Sequence, residues 1–176
     1  MYVIRERFFS IGDDFDVLDE HGNKVLHVDG KALSVRNKVV IEDLSGAEVA
    51  SVHRHLIAVR PTYEIRIDGE KAAEVRKRLF TPFREKFSID VPGPDDLEMK
   101  GDLLDHEYTI ELGGREVAAV SKRWLTIRDT YAVQVAADQE PLLIIGCVLA
   151  LDLALAREEK KDREKDHDKD EKDDED

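Results

Sequence analysis

Two imidazoles stand two residues apart in His53-Arg54-His55, a spacing that puts both on one face of an extended strand. Such a pair can chelate zinc or copper when further ligands join it, and His27 lies on a neighbouring repeat unit. Alternation with the inward-reading Val52 turns His53 and His55 towards solvent, with no pattern of carboxylates beside them. The pattern therefore predicts a solvated strand face and no metal. Arg76-Lys77-Arg78 and Lys122-Arg123 recur at the same point of two matching units. With Arg54 and Arg84 they can form a cationic patch for an anionic headgroup or phosphate, where arginine offers bidentate geometry. The alternative is a set of outward strand charges paired across strands with Glu and Asp. Trp124 and Asp129-Thr130-Tyr131 read either as the edge of a pocket or as a packed strand end, with Asp129 opening a turn that Thr130 supports. Asp152 is a carboxylate within an apolar segment, so it has to be paired, protonated or placed at a mouth. It is either a proton-binding or ligand-contacting group, or an acid that meets a basic residue such as Arg5, Arg7 or Arg123. Cys147, in the same segment, reads as a small core residue.

No sequence motif supplies chemistry beyond these groups. Gly-x-Ser-x-Gly, a phosphate loop, Cys-x-x-Cys and His-Glu-x-x-His are all missing. The expectation is a noncatalytic protein without a cofactor, and the alternative is an enzyme with an unrecognised surface site.

The elements that position these residues come from an internal repeat. Apolar pairs with period-two spacing recur at Phe15/Val17, Val39/Ile41, Tyr63/Ile65, Phe87/Ile89, Tyr108/Ile110 and Tyr131/Val133. A glycine follows each of the first five, at Gly22, Gly46, Gly69, Gly93 and Gly114. A second alternating pair follows each glycine: Leu26/Val28, Ala50/Val52, Ala73/Val75, Leu97/Met99 and Ala118/Val120. Alternation buries one strand face, and glycine supplies the backbone freedom of a tight connection, so each unit is a β-hairpin. Six first strands, five second strands and an N-terminal strand from Tyr2 to Phe9 predict twelve.

In the sixth unit the second strand gives way to the segment Pro141–Ala156, rich in Leu and Ala and apolar on all sides. Such a helix is either a membrane span or the core of a globular protein. A span needs about 20 apolar residues. Here Asp152 interrupts the run and Arg157 ends it, which predicts a buried helix over about 139–157 and no transmembrane span. A helix wet on no side has to be wrapped. The fold predicted is mainly β: a closed antiparallel barrel of about twelve strands around a central hydrophobic C-terminal helix. Closure also removes exposed sheet edges. Residues 1–156 form this domain, and residues 157–176 are a charged tail. Glu158 and Asp162, near Lys161 and Lys165, can extend the helix for a turn or two, and the composition beyond predicts disorder.

The chain carries 27 basic and 40 acidic residues, a net charge of −13, of which the tail holds 7 basic and 12 acidic. The acidic balance disfavours nonspecific binding to nucleic acid or anionic lipid, because the long-range field repels both. One cysteine excludes an intramolecular disulfide framework and fits a reducing compartment. The first residues lack an apolar signal core, so the expected location is cytoplasmic.

The chain resembles the LURP-one-related family of the tubby-like superfamily. The residues that carry the resemblance are the hairpin series, Pro61-Thr62-Tyr63-Glu64-Ile65, Lys100-Gly101-Asp102 followed by Tyr108, Ser121-Lys122-Arg123-Trp124, Asp129-Thr130-Tyr131, and the closing apolar helix with Asp152. The resemblance covers residues 1 to about 156. It implies a twelve-stranded barrel filled by a hydrophobic helix, as in tubby and, by similarity, phospholipid scramblases. Tubby domains bind phosphoinositide headgroups through a basic surface site, whose residues find no matching positions here. Plant members of the family are linked to pathogen defence without a known activity. The leading expectation is a noncatalytic binding or scaffold protein with a protein partner. The alternative is a peripheral membrane protein that takes anionic headgroups through Arg76, Lys77, Arg78, Lys122 and Arg123.

Overall fold

The computed structural model describes residues 1–5, 14–30, 37–58, 60–77, 87–92, 96–125 and 130–173, with the side chains of the last segment described to Glu158. Among these residues twelve strands form one closed barrel. They are β1 (Tyr2–Arg5), β2 (Phe15–Asp19), β3 (Lys24–Asp29), β4 (Lys38–Glu42), β5 (Glu48–Arg54), β6 (Thr62–Ile67), β7 (Glu70–Lys77), β8 (Phe87–Asp90), β9 (Leu97–Asp102), β10 (Glu107–Leu112), β11 (Arg115–Ser121) and β12 (Thr130–Val135). Each strand pairs antiparallel with its neighbour in sequence, and β1 pairs with β12 to close the ring, with Tyr2 opposite Val133 and Arg5 opposite Thr130. Of the N-terminal strand predicted from Tyr2 to Phe9, Tyr2–Arg5 is a strand, and residues 6–9 lie outside the described residues.

The repeat explains the hairpins. All six first pairs are buried, from Phe15/Val17 to Tyr131/Val133. Tyr63 and Ile65 face Val75 and Ala73 across β6–β7, and Tyr108 and Ile110 face Val120 and Ala118 across β10–β11. Four hairpins also shift register at the same place, directly after the second apolar residue: Val17/Leu18, Ile41/Glu42, Ile65/Arg66 and Ile110/Glu111. A bulge adds a residue to one strand and increases local twist, which helps a sheet close on itself. The glycine turns follow these bulges. In two of them Asp19 and Asp43 each accept backbone N–H bonds from the residues two and four further on. Gly93 lies outside the described residues.

Helix α1 (Pro141–Asp173) enters from the end of the barrel that holds the glycine turns, because β12 finishes there. Ile144 to Leu155 are buried against the inward strand residues, and Arg157 is exposed at the other end. A β-carbon at Gly146 would lie 2.8 Å from Ile65 Cγ2, so this glycine lets α1 approach β6. The helical backbone runs to Asp173, further than the one or two turns expected beyond Ala156. Opposite charges recur three and four residues apart in the sequence of that stretch, a spacing that favours helix. Among the described residues no helix is long and apolar enough to cross a membrane.

Candidate functional site

Asp152 is fully buried near the end of the barrel opposite the glycine turns. Of the three basic residues expected to meet it, the one described, Arg123, does not. Arg5's side chain and Arg7 lie outside the described residues, and Arg123 turns to Glu107 instead. His106 Nε2 lies 3.0 Å from Asp152 Oδ1, and the Tyr131 hydroxyl donates to Asp152 Oδ2 at 2.5 Å. The His106 ring stacks on Tyr131, with centroids 4.5 Å apart and planes 22° from parallel. A buried carboxyl needs this kind of satisfaction, since an unpaired one costs the full desolvation of the group. Tyr108 and Cys147 stand beside the cluster. Burial pushes the Tyr108 hydroxyl well above its ordinary range, and the nearby Asp152 adds to the shift. Burial also raises the Cys147 thiol.

His106 belongs to the four-residue connection between β9 and β10. That connection depends on Gly101, whose φ is +131°. A β-carbon there would come within 2.5 Å of the Glu107 carbonyl oxygen and 2.8 Å of Tyr108 Cα. This close approach is the structural content of Lys100-Gly101-Asp102 followed by Tyr108. The next residue, Glu107, turns outward. Its carboxylate accepts from the Ser121 hydroxyl at 2.9 Å and from the backbone N–H groups of Lys122 at 3.0 Å and Arg123 at 3.2 Å. The Arg123 guanidinium adds an ion pair at 3.7 Å. Glu107 thus ties the chain leaving β11 to the turn that supplies His106.

Two large apolar side chains project from these tied segments: Leu104 is 60% exposed and Trp124 47%. Arg123 and the half-buried Lys122 stand beside Trp124. Leu56 and Ile57, after β5, are also exposed at this end of the barrel. Isolated exposed apolar residues are ordinary, but aromatic and arginine groups together are enriched where proteins bind.

The structure brings Asp152, Lys122, Arg123 and Trp124 to one end of the barrel and separates Arg76 from them. Strands β8, β9 and β10 stand between β7 and β11. Arg76 is engaged on the outer face, where its guanidinium pairs with Glu74 at 2.5 Å and Asp90 at 3.0 Å. Glu74 lies directly opposite Glu64, a repulsive placement for two carboxylates. Arg66, Lys71 and Arg76 surround the two acids and compensate for it. The Arg76 bond holds the Glu74 carboxyl down at about 2, against burial. Lys77 stands opposite Phe87 at the end of β7, while Arg78, Arg84 and Asp129 lie outside the described residues. Arg54 donates to Asn37 Oδ1 at 2.7 Å.

The three histidines of the sequence reading do not converge. His53 Nε2 is 3.0 Å from Ser51 Oγ, His55 Nε2 is 3.5 Å from Glu64, and His27 Nδ1 is 2.8 Å from Asp16. Burial lowers the His53 pKa, and the Lys38 and Arg66 charges lower it further. Among the described residues no group of three His, Cys, Asp or Glu side chains is arranged to hold a metal. Sequence reasoning missed His106 and Glu107. The signal available was the Asp102–Glu107 connection, where a polar stretch sits between two strands and one residue has to reach the helix acid.

Residues 1–152 match the family described as LURP-one-related. The chain is 30% identical over 156 residues to the protein called uncharacterized protein YxjI of Bacillus subtilis (strain 168), a match covering 89% of this chain and 94% of the other. It is also similar to the X-ray structure of an Arabidopsis thaliana protein, with a TM-score of 0.63 at 16% identity over 86% of this chain and 88% of that one. At that identity the structural likeness shows the fold alone.

Proposed function

This chain belongs to the LURP-one-related family, and from that premise we propose that it is a noncatalytic binding protein. Its binding surface is the barrel end formed by the β9–β10 turn and the chain after β11, and its partner is a protein. One observation carries this reading: α1 occupies the barrel interior with side chains from Ile144 to Leu155, so recognition falls to the outer surface. Leu104 and Trp124 are held there on two connections that Glu107 ties together. Groups held in place before binding lose less entropy on association. The Asp152, His106 and Tyr131 cluster supports this surface from beneath. Its members are sealed in the core, with the His106 side chain only 4% exposed, which suits a structural role better than contact with a substrate.

The test is affinity capture with the wild type, with Leu104→Ser/Trp124→Ala, and with Leu44→Ser. Leu44 is 69% exposed at the opposite end of the barrel. The reading expects a partner retained by the wild type and Leu44→Ser and lost by the double variant. Equal capture by all three overturns it. A lipid reading draws on one observation, the Arg123 side chain, which is 83% exposed beside Trp124 and Lys122. Salt-sensitive co-sedimentation with anionic vesicles, lost in Lys122→Gln/Arg123→Gln, replaces the protein partner with a membrane surface.

A further inference from the structure

We infer that the mouth of the barrel through which α1 leaves holds a binding site for a diffusible phosphate group, built from Arg54, Arg157 and the Tyr63 hydroxyl, with Arg60 at its rim. Strands β7, β8 and β9 separate this site from the segments that carry Leu104 and Trp124, so it is tested independently of them.

Strand alternation puts Arg54 on the inner face. Ala50 and Val52 of β5 are buried inward, and Arg54 is the next residue of that series. It stands directly opposite Tyr63 on β6, a core residue. An arginine on the inner face of an apolar barrel needs acceptors for its N–H groups. Arg54 finds one: its Nη2 donates to Asn37 Oδ1 at 2.7 Å, while its Nε is buried and donates to nothing. Helix α1 brings a second guanidinium. It passes along β5 and β6, its buried stretch ends at Leu155, and Arg157 follows in solvent. Burial pushes the Tyr63 hydroxyl up to about 12, and the charges of Arg157 and Arg54 both oppose that rise. The hydroxyl therefore stands within reach of both cations.

These cations are set apart from others of the barrel by the want of an acid. The chain has a net charge of −13, and on its outer face Lys24 pairs with Asp16, Lys38 with Glu48, Arg76 with Glu74 and Arg115 with Asp138. Arg54, Arg157 and Arg60, an exposed residue between β5 and β6, have no carboxylate within ion-pair distance among the described residues. Glu158 is half-buried, and its charge also reaches the Tyr63 hydroxyl. It offsets one of the three cations and leaves two in excess. Two guanidiniums and a neutral hydroxyl donor match the charge and the oxygens of a dianionic phosphate monoester. The course of α1 favours a free phosphate ester over a lipid headgroup. The helix continues from Arg157 to Asp173, about 24 Å at 1.5 Å per residue, and residues 157–176 hold 12 acidic and 7 basic residues. A projecting acidic helix keeps a flat anionic bilayer from the mouth and leaves room for a small anion.

Inorganic phosphate is the probe. The full-length protein is titrated with it against chloride at constant ionic strength, and the arginine Nε–H groups are followed by NMR, with the Arg54 signal assigned by its loss in Arg54→Lys. The expected result is a saturable shift of the Arg54 signal with phosphate and none with chloride. In Arg157→Gln, a change at an exposed position, saturation needs roughly tenfold more phosphate, the loss of one hydrogen bond to a charged group. Arg123→Gln, across the barrel end, leaves the titration unchanged. A shift that never saturates, or that chloride reproduces, overturns the site, and the wild-type titration shows this without any variant. An Arg157→Gln titration equal to the wild type, with circular dichroism confirming the fold, also overturns it. A second arm uses vesicles of phosphatidic acid in phosphatidylcholine. Absence of co-sedimentation that depends on Arg157 supports a diffusible phosphate. Co-sedimentation abolished by Arg157→Gln overturns that source and assigns the site to a membrane headgroup.

Discussion

Tyr131→Phe isolates one bond of the buried cluster. The substitution keeps the ring, its stack on His106 at 4.5 Å and its buried volume, and it deletes only the hydroxyl that donates to Asp152 Oδ2. Asp152 and Tyr131 are both fully buried, so water does not replace the lost donor. Leaving a buried acceptor unsatisfied costs about 1–3 kcal/mol. The carboxyl acceptor and zero exposure put the expected loss towards the upper end, about 2 kcal/mol. For a domain of this size that lowers Tm by roughly 2–4 °C per kcal/mol. The assay is urea unfolding followed by far-UV circular dichroism and by Trp124 emission, with coincident transitions as the check on two-state behaviour. The bond itself is tested by a double-mutant cycle. In an Asp152→Leu background the hydroxyl has lost this acceptor, so Tyr131→Phe is expected to cost less than half as much. A Tyr131→Phe loss below about 0.5 kcal/mol, inside the usual scatter for surface changes, refutes the reasoning. So does an equal loss in both backgrounds.

Three further outcomes follow from the same packing. Gly146→Ala gains about 1 kcal/mol in helix propensity. It also sets a β-carbon 2.8 Å from Ile65 Cγ2, an overpacking that costs about 1–3 kcal/mol, so net destabilisation is expected and a raised urea midpoint contradicts the close approach of α1 to β6. The Glu74 carboxyl sits at about 2 in the folded protein against an ordinary 4.5, because Arg76 bonds to its charged form. Its contribution is complete above 4.5 and fades as pH falls towards 2, so the stability gap between wild type and Glu74→Gln closes over that window. A gap that stays constant from pH 5 to the acid limit of folding is the contrary result. Burial raises the Cys147 thiol and removes it from solvent, so a thiol reagent labels the native protein only as fast as the barrel opens, and immediate stoichiometric labelling contradicts the buried assignment.

The barrel's parts were legible in the sequence because the forces that make them act locally. A period-two apolar pair buries one strand face whatever lies across the sheet, and Gly22, Gly46, Gly69 and Gly114 take their positive φ values within single turns. The apolar run from Pro141, interrupted at Asp152, was too short to span a membrane and too apolar to face water, which left a wrapped core helix. Family membership could be read from the same residues. What the tertiary structure decided were contacts between segments far apart in the chain. Closure of β1 on β12 joins Tyr2 to Val133, and no local pattern states that register. Asp152 announced that it needed a partner, but His106 lies 46 residues away. Which base or donor reaches Asp152 depends on which turn the barrel brings over the end of α1. Arg76 and Lys122 occupy matching places in two repeats and look equivalent in sequence. The barrel puts three strands between β7 and β11, and the outer face gives Arg76 to Glu74 and Asp90. Alternation in a strand specifies only which face a side chain takes. Its neighbours are set by the order and register in which strands close, a property of the whole ring.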